Sequence, residues 1–172
     1  GDISRSATGP TGSYSNVGST GTNGIGSGES GAWVTPYFLD KTNPAVMYAG
    51  YENVFRCDNI KASPAASVAW TAISVGETET CRVMEQSAAN TGIIYVYRLN
   101  AVNKLKRTDN AGDSPASVSW TTCNLPDISP VTDLKTHPTD ANIVYATAGT
   151  SVYKSVDKGI TWTDLDPEGS LP

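Results

Sequence analysis

Apolar and polar positions along this chain alternate in short bursts and nowhere hold a helical period over three turns. The runs VMYAG (46–50), IIYVY (93–97) and IVYAT (143–147) combine β-branched and aromatic residues, the types that fit a pleated, half-buried surface. Each follows a turn rich in Asn, Asp, Thr and Pro: DKTNPA (40–45), SAANTG (87–92) and HPTDAN (137–142). A third run then ends near an aspartate, and a fourth is led by a tryptophan. Four short strands with turn signals between them are the expectation for each stretch.

The stretches repeat. VTPYFLDKTNPAVMY (34–48) aligns without a gap on VTDLKTHPTDANIVY (131–145), which sets Asn43 opposite Asp140, Val46 opposite Ile143 and Tyr48 opposite Tyr145. A middle stretch beginning at Cys81 brings Tyr95 into the same register. Self-similarity at about 40–50 residues marks a propeller blade or a solenoid unit.

The run SVDKGITW (155–162) closes the last repeat and matches S-x-D-x-G-x-T-W at every fixed position. Asp157 is placed to accept hydrogen bonds from the amides of its own turn. Gly159 supplies a backbone conformation closed to residues with a Cβ. Ser155, Thr161 and Trp162 complete the pattern. This resembles the Asp-box, or bacterial neuraminidase repeat, which closes the outer hairpin of β-propeller blades in sialidases, xyloglucanases and sortilin-type receptors. The resemblance implies a fold more than an activity, because in those families the motif sits away from the ligand face. In the two earlier repeats, DNIKASPAASVAW (58–70) and DNAGDSPASVSW (109–120) place Asp58 and Asp109 at the aspartate position and Trp70 and Trp120 at the tryptophan position. Both carry a Ser-Pro-Ala insertion, read either as a contact surface or as length drift on an exposed rim; loops tolerate such drift cheaply, and drift is the simpler reading.

The expected fold is all-β, a partial β-propeller of about three and a half four-stranded antiparallel blades with Asp-box hairpins. Its divisions are 1–32, a partial blade plus a Gly/Ser-rich loop; 33–78, a blade; 79–127, a blade; and 128–172, a blade with the intact Asp-box. In the partial blade Ser6, Thr8 and Tyr14 take the Ser, Asp and Trp places of a degenerate box. Complete propellers have four to eight blades, so this chain reads as a piece of a larger one. The remainder of the propeller, another copy or a partner chain is expected to cover its open faces. Residues 9–31 hold eight glycines; composition alone leaves a flexible linker and an ordered loop both open.

Charge narrows the partners. Charged residues are 17% of the chain and the net charge is −5. With no Lys/Arg run, nucleic acid is not an expected ligand. No apolar stretch is long enough for a membrane span. Cys57, Cys81 and Cys123 show no C-x-x-C spacing, and His137 is the single histidine. Neither a metal nor a cofactor is expected. One disulfide with a spare thiol is one reading of the cysteines; small buried thiols are the other, and the favoured one.

Candidate chemistry is thin. A sialidase would need an arginine cluster and an Arg-Ile-Pro sequence; Arg56, Arg82, Arg98 and Arg107 are scattered and that sequence is absent. A xyloglucanase-like hydrolase needs two carboxylates facing each other across a cleft. Asp40 and Asp133, in or near first strands, are weak catalytic candidates. His137 takes the register place of Asp40, and a turn role suits it better than catalysis. Trp33 and Tyr37 are candidates for stacking on a glycan, although packing of Trp33 at a seam between blades is the favoured alternative. Stretches 31–56 and 131–165 are similar to propeller repeats of long secreted surface proteins of Bacteroidetes, which implies a secreted or outer-surface location. The expected role is non-catalytic binding or scaffolding toward a glycan or protein. The alternatives are a fragment of a xyloglucanase-like glycoside hydrolase and a structural subunit of a surface assembly.

Overall fold

The computed structural model describes residues 1–100, 104–126 and 129–168. The expected boundary between 127 and 128, and the end of the last division at 172, lie outside the described residues. The chain divides into two compact units, Gly1–Cys81 and Arg82–Pro172.

In the first unit β1 (Ile3–Ser6) and β2 (Tyr14–Gly18) form a two-stranded antiparallel sheet. Next come β3 (Tyr37–Leu39), β4 (Met47–Gly50), β5 (Val54–Cys57) and β6 (Trp70–Ala72), hydrogen-bonded in chain order as one antiparallel sheet. All residues of β4 and β5 are buried. Strands covered on both faces read as apolar runs rather than alternations, which explains VMYAG.

The core of this unit joins the two sheets. Ile3 and Val17 from the small sheet pack with Met47, Phe55 and Trp70 from the large one. The indole N–H of Trp70 donates to the Val17 carbonyl at 2.7 Å. Arg5 donates to the carbonyls of Ile60 and Ala62 across the same seam.

The glycine-rich stretch is an ordered loop. Ile25 is buried, and the Asn23 side chain donates to the carbonyls of Ala65 and Val68 at 3.2 and 2.8 Å. A Cβ on Gly24 would stand 2.3 Å from the Trp70 carbonyl oxygen, so the backbones approach too closely for any other residue. The Ser-Pro-Ala insertion against which this loop lies makes a single 3-10 turn at Ala65–Ser67.

The second unit continues β7 (Cys81–Gln86), whose first residue is the last of the first unit. It pairs in sequence with β8 (Ile94–Arg98), β9 (Leu105–Thr108) and β10 (Thr121–Thr122). A second four-stranded sheet follows: β11 (Val131–Thr136), β12 (Val144–Ala148), β13 (Ser151–Ser155) and β14 (Thr163–Asp164). Tyr95, Tyr97 and Leu105 of one sheet share a core with Leu134, Val144 and Ala146 of the other, joined by Ile93 just before β8. A 3-10 turn at Pro115–Ser117 again occupies the Ser-Pro-Ala insertion. Cys57, Cys81 and Cys123 are all buried free thiols. Burial pushes the Cys123 thiol up to about 12 and the Cys57 thiol up as well, so neither is a ready nucleophile.

Candidate functional site

The hairpin between β13 and β14 is held by one carboxylate. Asp157 Oδ1 accepts from the Ser155 hydroxyl at 2.7 Å and from the amides of Ile160 and Thr161 at 3.1 and 2.8 Å. Its Oδ2 accepts from the Thr161 hydroxyl at 2.5 Å. Bonds from the Thr161 hydroxyl and amide and from Ser155 hold this carboxyl down at about 2. Lys158 and Gly159 take positive φ, 61° and 84°. A Cβ on Gly159 would meet Cys123 Sγ at 2.8 Å, so packing against the neighbouring sheet demands glycine as firmly as φ does. The Trp162 indole N–H closes the turn onto the Gly159 carbonyl at 3.0 Å.

In the two longer hairpins this carboxylate's place is taken by Asn59 and Asn110, not by Asp58 and Asp109. Asn59 Oδ1 accepts from the amide of Ala69, the residue before Trp70, at 2.9 Å, and from Cys57 Sγ at 3.3 Å. Asn110 Oδ1 accepts from the amide of Ser119, before Trp120, at 3.1 Å, and from the Thr108 hydroxyl at 2.9 Å. Cys57 and Thr108 thus stand where Ser155 stands. The amide nitrogens do what a carboxylate cannot: they donate to the carbonyls of Ser67 and Ser117, each at 2.9 Å, and so tie down the inserted loops. Aligning on the end of the third strand rather than on the acid would have found this. Trp70 is buried, whereas Trp120 and Trp162 are half-buried.

Asp58 and Asp109 pair instead with the preceding arginines. Arg56 Nε lies 3.0 Å from Asp58, and Arg107 Nη2 lies 2.7 Å from Asp109. Burial works against the charged form of Asp109, but hydrogen bonds from Arg107 and Lys158 outweigh it and hold the carboxyl below its ordinary value. Arg107 also donates to the Lys158 carbonyl, and Lys158 Nζ reaches Asp109 at 3.1 Å. The Arg5 contact with the Ile60 carbonyl repeats this bond at the equivalent seam of the first unit. Arg5 and Arg107 thus join neighbouring sheets.

The candidate acids serve local geometry. Asp40 Oδ1 accepts from the amides of Thr42 and Asn43, each at 2.9 Å. His137 Nδ1 accepts from Thr139 and Asp140 at 3.3 and 3.1 Å, in the same turn of the last repeat. Ser87 does the equivalent for Asn90 at 3.2 Å. Asp133 is exposed on β11, accepts from its neighbour Leu134 and pairs with Lys135 at 2.7 Å. The hollow beside it, bounded by Tyr145 and Thr147, measures about 40 Å³, space for about one water and no sugar ring. Among the described residues no group of three or more His, Cys, Asp or Glu is placed to hold a metal.

Surface chemistry is concentrated before and along β3. Trp33 is 97% exposed and Val34 77%. Among the described residues nothing covers the indole. Tyr37, 58% exposed, and Leu39, 48%, line an apolar groove of about 250 Å³ together with Ile3, Val17, Met47 and Ile60. Trp33 does not line it.

Among solved structures, the fold is similar to that of an ancestral GH74 enzyme, with TM-score 0.54 and 15% identity over 77% of this chain and 19% of that one. A GH74 enzyme of Niastella koreensis matches at TM-score 0.41 and 13% identity, over 88% of this chain and 28% of that one. The chain spans about a fifth of the length of the first. No protein-family profile matches the sequence, and no curated protein does. The likeness shows the fold, an all-β, partial β-propeller; among the described residues it holds three four-stranded sheets and one two-stranded sheet. Among the described residues no helix is long and apolar enough to cross a membrane.

Proposed function

We propose that this chain is a non-catalytic binding and scaffolding part of a larger, secreted or cell-surface propeller protein with Asp-box hairpins, and that it contacts glycan through Trp33. The carrying observation is the 97% exposure of that indole beside an exposed Val34. A large aromatic face left in water, with no packing role in its own fold, is a stacking surface for the apolar face of a sugar ring. The hydrogen bonding of Asp40 and the Lys135 pairing of Asp133 support a role without catalysis.

Binding to a glycan array, followed by titration of the retained sugar, tests this. Trp33→Ala should weaken binding at least tenfold with an unchanged melting temperature, and the bound sugar should be recovered intact. Equal binding by Trp33→Ala would sink the reading. Capture of protein ligands alone would replace glycan with protein as the contact.

The fold likeness to a GH74 enzyme favours one second reading, a piece of a glycoside hydrolase. Release of sugar from β-glucans by the native protein, lost on Asp133→Asn or Asp40→Asn, would establish it. A chain that binds no glycan and only assembles with itself would point to a structural subunit.

A further inference from the structure

We propose that the apolar groove beside β1 is the seat of a two-stranded β-hairpin from outside the described residues, hydrogen-bonded to the free edge of β1. This rests on reading the chain as part of a larger propeller, and it names the contact by which the remainder joins. The first sheet has two strands where the other three have four, and on the side away from β2 no described strand pairs with β1.

The second unit shows what belongs there. Arg5 pairs in register with Ser15 as Arg107 pairs with Thr121, so Ile3 stands where Leu105 stands and Val17 where Cys123 stands. The arginine-to-carbonyl bond at each seam, Arg5 to Ile60 and Arg107 to Lys158, fixes the equivalence in space. In the second unit β7 and β8 complete the sheet, and Tyr95 and Tyr97 cover Leu134, which is 1% exposed. The counterpart of Leu134 is Tyr37, because Tyr37 pairs with Ala49 as Leu134 pairs with Ala146. Tyr37 is 58% exposed: the same place in the repeat, without its cover. An apolar cavity of about 150 Å³ holds a benzene ring, so a groove of about 250 Å³ accepts at least one tyrosine-sized side chain.

The groove also selects its occupant. Thr136 in the second unit donates to Glu85 of β7 at 3.1 Å. The counterpart of Thr136 is Leu39, which offers no hydrogen bond, so the incoming hairpin needs an apolar residue where β7 carries Glu85. A second copy would have to give up strands already paired in its own four-stranded sheets. A hairpin from the rest of the parent protein has no such cost, and β-strand addition supplies both backbone pairing and side-chain pockets.

A backbone-cyclised peptide of residues 82–98 carrying E85L, preformed as a hairpin, provides the probe. Added to the full chain, it should slow amide exchange along β1 and bind at least tenfold tighter than the same peptide with Glu85. Leu39→Asp in the chain, at a half-exposed position that leaves folding intact, should weaken binding at least tenfold. No protection of β1 at the highest soluble peptide concentration, or equal binding by Leu39→Asp, would overturn the proposal. So would protection of β1 by the chain's own self-association, which would make a second copy the occupant. Loss of the Trp33 glycan contact would leave these results unmoved, so the two readings fail separately.

Discussion

A single carboxylate organises the best-formed hairpin, and its chemistry sets a pH dependence. Asp157 accepts from two amides and two hydroxyls, which lowers its carboxyl to about 2 in the fold. In the unfolded chain an aspartate titrates near about 3.9. A depressed folded value means that its contribution is fully present above the unfolded value and is lost as pH falls from about 4 through about 2. Thermal melts at pH 7, 4 and 2.5 should therefore show Asp157→Asn less stable than the native protein at pH 7, with the gap closing toward pH 2. No gap at pH 7 would mean that the amide replaces the carboxylate without loss, and a gap independent of pH would mean that the loss does not come from the carboxylate's charge. Gly159 adds a second constraint at this scale, since φ and Cys123 Sγ both exclude a side chain.

Strands and their hairpins were largely legible; the residue that pins each long hairpin was not. Asp58-Asn59 and Asp109-Asn110 each offer an acid and an amide side by side, and the resemblance to the motif favours the acid. Strand register decides otherwise. Cys57 and Thr108 end the third strand facing inward, so the residue two places on turns over the hairpin, and that residue is asparagine. The displaced aspartates face the arginine of the same strand. Hydrogen exchange separates the two roles. Asn110→Ala should speed exchange of the Ser119 amide by about tenfold, in line with the ~1.4 kcal/mol of a lost hydrogen bond, whereas Asp109→Ala should leave that amide unchanged and loosen the Lys158 contact. The reverse result would restore Asp109 to the hairpin. The glycine-rich loop is a similar case. Its order comes from Asn23 and Ile25 meeting residues more than 40 places away, which no local composition reveals.

At the scale of the whole molecule each unit is a pair of neighbouring blades sharing a core, and the difference between them lies in what covers the inner strands. Tyr95 and Tyr97 fill that place in one unit; an open groove fills it in the other. A ligand that binds only the folded state raises stability by mass action, about 2.7 kcal/mol at a concentration a hundred times its Kd. The hairpin peptide at that ratio should raise the melting temperature of the native chain at least about twice as far as that of Leu39→Asp, whose Kd is at least tenfold higher. Equal shifts in both would place the peptide elsewhere.

The sequence by itself determined the all-β repeat, its four-strand unit, the register of Tyr48 with Tyr95 and Tyr145, and the turn at Asp157, because strand periodicity and turn chemistry act between residues close in the chain. Only the tertiary structure decided that Asn59 and Asn110 hold the long hairpins, that Arg5 and Arg107 join sheets, and that Trp33 is exposed while Trp70 is buried. The partial first blade was already a sequence expectation; the other outcomes depend on which distant surfaces meet, and burial and hydrogen-bond partners are properties of that meeting, not of any segment alone.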